Sequence, residues 1–284
     1  MRTEFPHHRP PRTTRSHRTG KNAPNSPCVI SIVVPAYNEL ARLPAYLDRI
    51  RTHCQAAFDG AYEIVVVDDG SGDGLGGWLD RAAGDWNQLT VVHHVANLGK
   101  GAAVRTGMAR GRGGLLLFAD ADGATPIDQE AKLRAAIERG ADMAVGSRVE
   151  HSDESNVRRS WRGAVQGWAF RQLVHRSLEM PIQDTQCGFK MFRREVGKEL
   201  FAVCDEAGYL FDLFVLRLAA RFGYSIAEVP VEWRDVAGSK VRPVRDPLAM
   251  WRGLRQLDER VAEAMRKRAS LNASQRKNES SFVV

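Results

Sequence analysis

The stretch Leu115-Leu116-Leu117-Phe118-Ala119-Asp120-Ala121-Asp122-Gly123 constrains this chain more than any other. An apolar run of strand length ends in two aspartates one residue apart. Side chains along a strand alternate between faces, so residues i and i+2 point the same way. Asp120 and Asp122 therefore emerge together where a buried strand meets its loop. Paired carboxylates on one side suit a hard cation, which takes oxygen ligands and often holds substrate phosphates.

Other runs repeat the pattern. Val29 to Val34 is a continuous apolar strand closed by Pro35, and Tyr62 to Val67 is a second, ending in Asp68-Asp69-Gly70-Ser71. Leu89 to Val95 and Ala141 to Val145 read as further strands, the latter ending in Gly146-Ser147-Arg148. Between them, Leu40, Leu43, Leu47 and Ile50 recur at helical spacing, and Lys100 to Arg110 reads as a helix. Thr125-Pro126-Ile127-Asp128 reads as a capping box opening a helix to about Arg139. Strands alternating with helices predict an α/β fold with a mostly parallel sheet and helices on both faces. Ligands of such sheets bind outside the carboxyl ends of the strands. Tyr37-Asn38-Glu39, Asp68-Asp69, Asp120/Asp122 and Arg148 all follow strands and are expected to converge on one edge.

The second half is less regular. Residues 157–178 read as helical and arginine-rich, and 184–190 as a loop leading into a short strand. Leu210 to Phe222 reads as a helix and Ser225 to Val231 as a strand. A last helix, about 246–267, places Leu248, Trp251, Leu254, Leu257, Val261 and Met265 on one stripe, with a basic face opposite. It packs on the core, or lies partly in a membrane interface.

At 284 residues and 43% hydrophobic content, the chain can bury a proper core. No apolar stretch is long enough to cross a bilayer, and the N-terminus lacks the apolar segment of a signal peptide. Cys28, Cys54, Cys187 and Cys204 show no zinc-ligand spacing and read as reduced cytoplasmic thiols. The net charge of +7 belongs to the tails: residues 1–27 carry six basic residues against Glu4, and 260–284 carry six against two acids. Nucleic acid binding asks for a basic folded face, so no nucleic acid partner is expected. Basic tails beside a near-neutral core fit an anionic membrane surface, which predicts peripheral contact at the inner face. The expected organisation is a disordered basic arm at 1–27, one domain at 28–258, and a basic helix end and tail at 259–284.

Several motifs admit rival readings. Asp69-Gly70-Ser71-Gly72-Asp73-Gly74 nearly matches an EF-hand loop, but a strand precedes it where a helix is required, so calcium is rejected. The turn instead presents Asp68 for recognition of a base or ribose. Asn97-Leu98-Gly99-Lys100-Gly101 lacks Walker spacing, yet glycines at a helix start admit phosphate, with Lys100 as a point charge. Asp120-Ala121-Asp122-Gly123 has a rival in haloacid-dehalogenase phosphatases, but Ala124 puts Thr125 one place off and four strands precede it. Arg148, Arg158, Arg159 and Arg162 are candidates to clamp a phosphate, against the alternative of an exposed basic helix face for the last three. Asp212, among apolar neighbours, is a general base or a buried structural partner. His93 and His94 lack metal spacing and read as core or edge packing.

Together these residues resemble family-2 glycosyltransferases of the GT-A fold, and within them the dolichyl-phosphate β-glucosyltransferase type. The resemblance covers about residues 28–258. Val34-Pro35-Ala36-Tyr37-Asn38-Glu39, Val67-Asp68-Asp69-Gly70-Ser71, Asn97 to Gly101 and Asp120 to Thr125 mark the superfamily. Asp184-Thr185-Gln186-Cys187-Gly188-Phe189-Lys190 and Gly238-Ser239-Lys240 mark the lipid-phosphate branch. The resemblance implies that Tyr37 stacks on the base, Asp68 bonds its edge, and Pro35, Glu39 and Lys100 complete the nucleotide-sugar pocket. It implies Mg2+ or Mn2+ on Asp120 and Asp122, and acceptor contacts from Arg148, Arg158, Arg162 and Gln186. The implied reaction is inverting transfer of a hexose, glucose from UDP-glucose above all, to a polyprenyl phosphate. An acceptor phosphate needs no strong base; a hydroxyl acceptor on a small molecule would make Asp212 the catalytic base. Phe214 stands where relatives of this type carry an acid, and the transmembrane anchor many of them have is missing from this sequence, which keeps a small-molecule acceptor in play. A protein that only binds nucleotide-sugar is the third alternative.

Overall fold

The computed structural model describes residues 28–148, 182–234 and 256–270. Seven strands form one sheet: β1 (Ile30–Ala36), β2 (Tyr62–Asp68), β3 (Leu89–His93), β4 (Leu115–Ala119), β5 (Met143–Ser147), β6 (Phe189–Arg193) and β7 (Ile226–Pro230). The helices are α1 (Leu43–Phe58), α2 (Leu75–Asp85), α3 (Lys100–Arg110), α4 (Glu130–Glu138), α5 (Arg194–Val203), α6 (Phe211–Arg221) and α7 (256–270).

The strand order is β3-β2-β1-β4-β6-β5-β7. β1 pairs in parallel with β2 on one side and β4 on the other, β2 with β3, and β5 with β7. Among the described strands only β6 runs antiparallel, between β4 and β5. The sheet is thus mostly parallel, as the sequence predicts, with one reversed strand inserted late in the chain.

Both faces are covered because the central strands are apolar at most positions on both sides, and Ser31 and Glu63, which break the pattern in β1 and β2, bond each other. Ile32 and Val34 join a core with Leu47 and Ile50 of α1, Leu79 of α2 and Leu133 of α4. Val33, between them, joins the opposite core with Val104 and Met108 of α3, Leu200 of α5 and Phe214 of α6. The period of two therefore distributes one strand over two layers of helices.

Several expectations are corrected in detail. β1 continues through Pro35 to Ala36, and β3 stops at His93 instead of Val95. Thr125 makes no capping bond; a single 3₁₀ turn, Ile127–Gln129, begins after Pro126, and α4 follows from Glu130. α2 and α5 lie where the sequence reading placed no element. In the last helix, Leu257, Val261 and Ala264 are buried against the α5–α6 core, whereas Met265 faces outward. That apolar face is occupied by protein. The helical reading of 157–178, the arm 1–27, and Leu248, Trp251 and Leu254 lie outside the described residues. Among the described residues no helix is long and apolar enough to cross a membrane.

Candidate active site

The strand order reverses between β1 and β4: β2 and β3 lie on one side of β1, β4 on the other. A crevice opens outside the carboxyl ends at such a switch point. The observed cleft sits there, about 190 Å³ in volume, with Pro35, Ala36 and Tyr37 from the end of β1 and Asp120 and Asp122 from the end of β4. Glu39, Arg42, Asp69, Lys100 and Tyr209 complete its principal walls.

The wall beyond β1 is held by cross-loop bonds. Ser71 Oγ accepts from the Asn38 amide at 2.8 Å, and Asn38 Oδ1 accepts from Gly72 at 2.8 Å. Arg42 grips Glu39 through two nitrogens, at 2.7 and 2.5 Å. Tyr37 is 44% exposed at the rim, a ring face open to a planar ligand.

The two acids after β2 do different work. Asp68 Oδ1 accepts from the Ser71 amide at 3.0 Å, and Oδ2 faces His93 Nδ1 at 3.1 Å, so the side chain is buried away from the cleft lining. Asp69 accepts from the Leu98 and Gly99 amides, both at 2.9 Å, and from His94 Nδ1 at 2.6 Å. That fixes the loop preceding Lys100. The turn between them packs closely: Gly70 has φ of +73°, and a Cβ there would meet the Ala96 carbonyl carbon at 2.5 Å. His93 and His94, expected in plain packing, are instead the braces of these acids. His93 also bonds Asp80 at 3.0 Å; that bond, then Asp68, outweighs its burial and raises its pKa.

Lys100 reaches across the cleft to Asp120 Oδ1 at 2.7 Å. Burial alone would favour the neutral amine; Asp120 and Asp212 reverse this and hold the ammonium above the usual lysine range. Asp122 Oδ1 accepts from the Ala124 amide at 3.0 Å. Burial first, and then the charge of Asp120, raises the Asp122 carboxyl above its ordinary value. Two neighbouring carboxylates, with the ionisation of Asp122 resisted, are a donor set that a cation relieves. Among the described residues no cluster of three or more metal-ligating side chains forms. A two-carboxylate site suits Mg2+ or Mn2+, which accept one or two protein carboxylates and leave places for phosphate and water.

Beyond Asp120 lies a second wall. The Asp120 amide donates to Gly188 O at 2.9 Å, so the 184–188 loop runs alongside the acid. In that loop Asp184 accepts from Arg148 Nε at 2.6 Å and Nη2 at 2.8 Å, a two-pronged pair near the face of Trp233. Burial resists the charge on both partners; the pairing prevails, lowering the Asp184 pKa and raising that of Arg148. Gln186 is exposed on the same loop. Asp212, at the start of α6, is buried beneath the cleft and bonded to Lys190 Nζ at 2.5 Å. Burial raises its pKa despite Lys190 and Lys100.

The structure thus gathers Pro35, Tyr37, Glu39, Lys100, Asp120 and Asp122 around one cleft. Arg148 and Gln186 stand on the far side of Asp120, and Asp68 stands behind the wall. Arg158 and Arg162 lie outside the described residues. The sequence reading missed Arg42, the bracing function of Asp69, and Gly188. Arg42 carried a usable signal, since it follows Glu39 by three residues at a helix start, where such pairs meet. The other two depend on contacts between distant segments.

A mostly parallel sheet with one reversed strand, opening at its switch point onto an Asp-x-Asp cleft, is the GT-A fold of glycosyltransferases. The chain belongs to glycosyl transferase family 2, whose pattern matches residues 31–201. It is 37% identical over 240 residues to the dolichyl-phosphate beta-glucosyltransferase of Drosophila melanogaster, covering 79% of this chain and 73% of that protein. Identity to the dolichyl-phosphate beta-glucosyltransferase of Homo sapiens is 35% over 239 residues, with the same coverage of 79% and 73%. The fold is similar to glucosyl-3-phosphoglycerate synthase from Mycobacterium tuberculosis, crystallised with Mn2+, UDP-glucose and phosphoglyceric acid. That likeness has a TM-score of 0.53 at 21% identity, covering 83% of this chain and 79% of the other.

Proposed function

We propose that this chain transfers glucose from a nucleotide-sugar, UDP-glucose, to a polyprenyl phosphate of the dolichyl type, with inversion at the anomeric carbon. The observation that carries the proposal is the position of Asp120, between the switch-point cleft and the Arg148–Asp184 wall. Donor and acceptor would then meet from opposite sides of one acid, as a single in-line displacement requires. The names of the relatives supply the sugar and the lipid phosphate.

In this reading Tyr37 stacks on the base, and Pro35 and Glu39, the latter steadied by Arg42, shape its pocket. Asp68 orders the turn that closes the pocket edge. Asp120 and Asp122 hold Mg2+ or Mn2+, which supplies charge neutralisation for the departing diphosphate when bound. Lys100 adds a fixed positive charge on the same side. Arg148 keeps Nη1 clear of Asp184 and offers it to the acceptor phosphate, with Gln186 beside it and Arg158 and Arg162 as further contacts. An acceptor phosphate is already anionic at neutral pH, so no side chain must remove a proton. Asp212, closed off and bonded to Lys190, fits the part of buried partner better than that of base. The bond from anomeric carbon to diphosphate oxygen breaks, the bond to the acceptor oxygen forms, and nucleoside diphosphate leaves. The reaction site faces the cytoplasmic side, with the protein peripheral to the membrane.

The test is a hydrolysis screen of UDP- and GDP-sugars with Mn2+, followed by transfer trials with polyprenyl phosphate. UDP-glucose turnover that rises with polyprenyl phosphate supports the reading; transfer only to small hydroxyl acceptors overturns it. Asp122→Ala should lower turnover about 10²–10³-fold without altering the fold.

A further inference from the structure

Lys100 is held from both sides. Its backbone is set by the amides of Leu98 and Gly99 on Asp69, and its ammonium lies 2.7 Å from Asp120 Oδ1. The same nitrogen sits 5.3 Å from the ring centre of Phe118 and 6.0 Å from that of Phe211. Asp120 is fixed in turn by the Gly188 carbonyl at its backbone. Beneath, Lys190 is already satisfied by Asp212 and by the Cys187 carbonyl, each at 2.5 Å. Asp120, Asp122 and Asp212 thus face two ammonium groups, and among the described residues only Asp122 of the three forms no direct ion pair, Arg42 and Lys100 acting on it from farther off.

This count sets the order in which ligands are tolerated. A divalent cation on Asp120 and Asp122 competes with Lys100 for Asp120. If the metal comes alone, the ammonium loses its carboxylate in a part-apolar setting and faces a second cation, and separating such a partly buried pair is unfavourable. If a diphosphate comes too, the ammonium finds a new anion in the same cleft. We propose that Lys100 is a resident counter-ion for Asp120, which suppresses metal binding until a nucleoside diphosphate is present to accept it. This inference rests on the donor cleft assigned above. It makes the metal and the diphosphate mutually dependent, and such coupling acts equally in both directions.

The test is Mn2+ affinity, read by electron paramagnetic resonance on the full chain with and without UDP, for the native protein, Lys100→Met and Lys100→Arg. Methionine keeps an unbranched apolar stem against Phe118 and Phe211 and removes only the charge. UDP itself binds Mn2+, so some coupling survives in every variant; the share due to Lys100 is read from the metal alone. The expected result is that Lys100→Met binds Mn2+ without UDP about fivefold or more tighter than the native protein. The gain in Mn2+ affinity on adding UDP shrinks by a similar factor, while Lys100→Arg keeps it. Equal or weaker Mn2+ binding by Lys100→Met without UDP overturns the inference. So does a native protein that binds Mn2+ equally well with and without UDP, an outcome that leaves the proposed function standing. A native protein that never binds Mn2+ and UDP together overturns both.

Discussion

At the scale of single residues, the site depends on one glycine that no chemical reading would select. A Cβ at Gly188 would lie 1.9 Å from Asp120 Oδ2, far inside contact distance. Gly188→Ala must therefore push Asp120 aside or lift the 184–188 loop. The expected outcome is a loss of turnover of about 10²-fold, as for a misplaced reacting group, with weaker Mn2+ binding and an unchanged circular dichroism spectrum. The Arg148–Asp184 pair gives a second case. Arg148→Ala should lower stability by about 2 kcal/mol in urea unfolding, since a charged hydrogen-bonded partner is lost. The pH dependence has a definite sign. The folded pKa of Asp184 is depressed, so its stabilisation is present above the unfolded value near 4 and is lost as pH falls through the lower folded value. Arg148→Ala should flatten that acid limb. Asp120 and Asp122 were legible because strand period and chemistry coincide at a strand end. Gly188 was not, because its constraint comes from a strand paired with β4 from far along the chain.

At the scale of elements, the strands were easier to read than the helices that join them. Buried parallel strands are mostly apolar along their whole length, whereas α2 fully buries only Leu75 and Leu79 and carries three glycines. The reversal of β6 was hidden for a different reason: direction depends on the path between β5 and β6, and apolar content carries no sign of direction. That strand is tied to α6 by Lys190 and Asp212. Asp212→Asn should destabilise the fold by about 3 kcal/mol, because it leaves a buried ammonium without its counter-charge. Lys190→Met combined with Asp212→Leu should recover much of that, as measured by denaturant midpoint. The β2–β3 edge carries its own pH response through His93. Its folded pKa is raised, so the bridge to Asp68 and Asp80 contributes fully below the unfolded value near 6.5 and fades as pH rises through the folded value. Melting temperature should fall slightly from pH 6 to 8, and His93→Gln should abolish that slope.

At the scale of the whole molecule, the convergence of polar sets on one edge was readable because parallel strands share a direction and β1 lies at the switch point. The distribution of charge was read less well. The sequence assigns the basic helix end and tail at 259–284 to the charge that faces a membrane, yet Arg260 bonds Asp205 at 2.7 Å and also Glu206, and Arg268 bonds Glu199 at 2.5 Å. Arg268 further lies 3.9 Å from the centre of the Phe222 ring. Sequence alone cannot reveal that these cations face acids from α5 and the loop after it. The charge left for an anionic membrane therefore lies mainly in residues 1–27, with six basic residues against one acid, while 271–284 carry Arg276 and Lys277 against Glu279. Each basic residue near an anionic surface contributes roughly 1 kcal/mol. Deleting 1–27 should therefore lower co-sedimentation with phosphatidylserine vesicles by about tenfold or more, and deleting 271–284 should change it little. Raising salt should erase the difference, since exposed charges are screened. Unchanged sedimentation of the 1–27 deletion would show that the arm does not recruit the protein, and that any membrane contact comes from the rest of the chain.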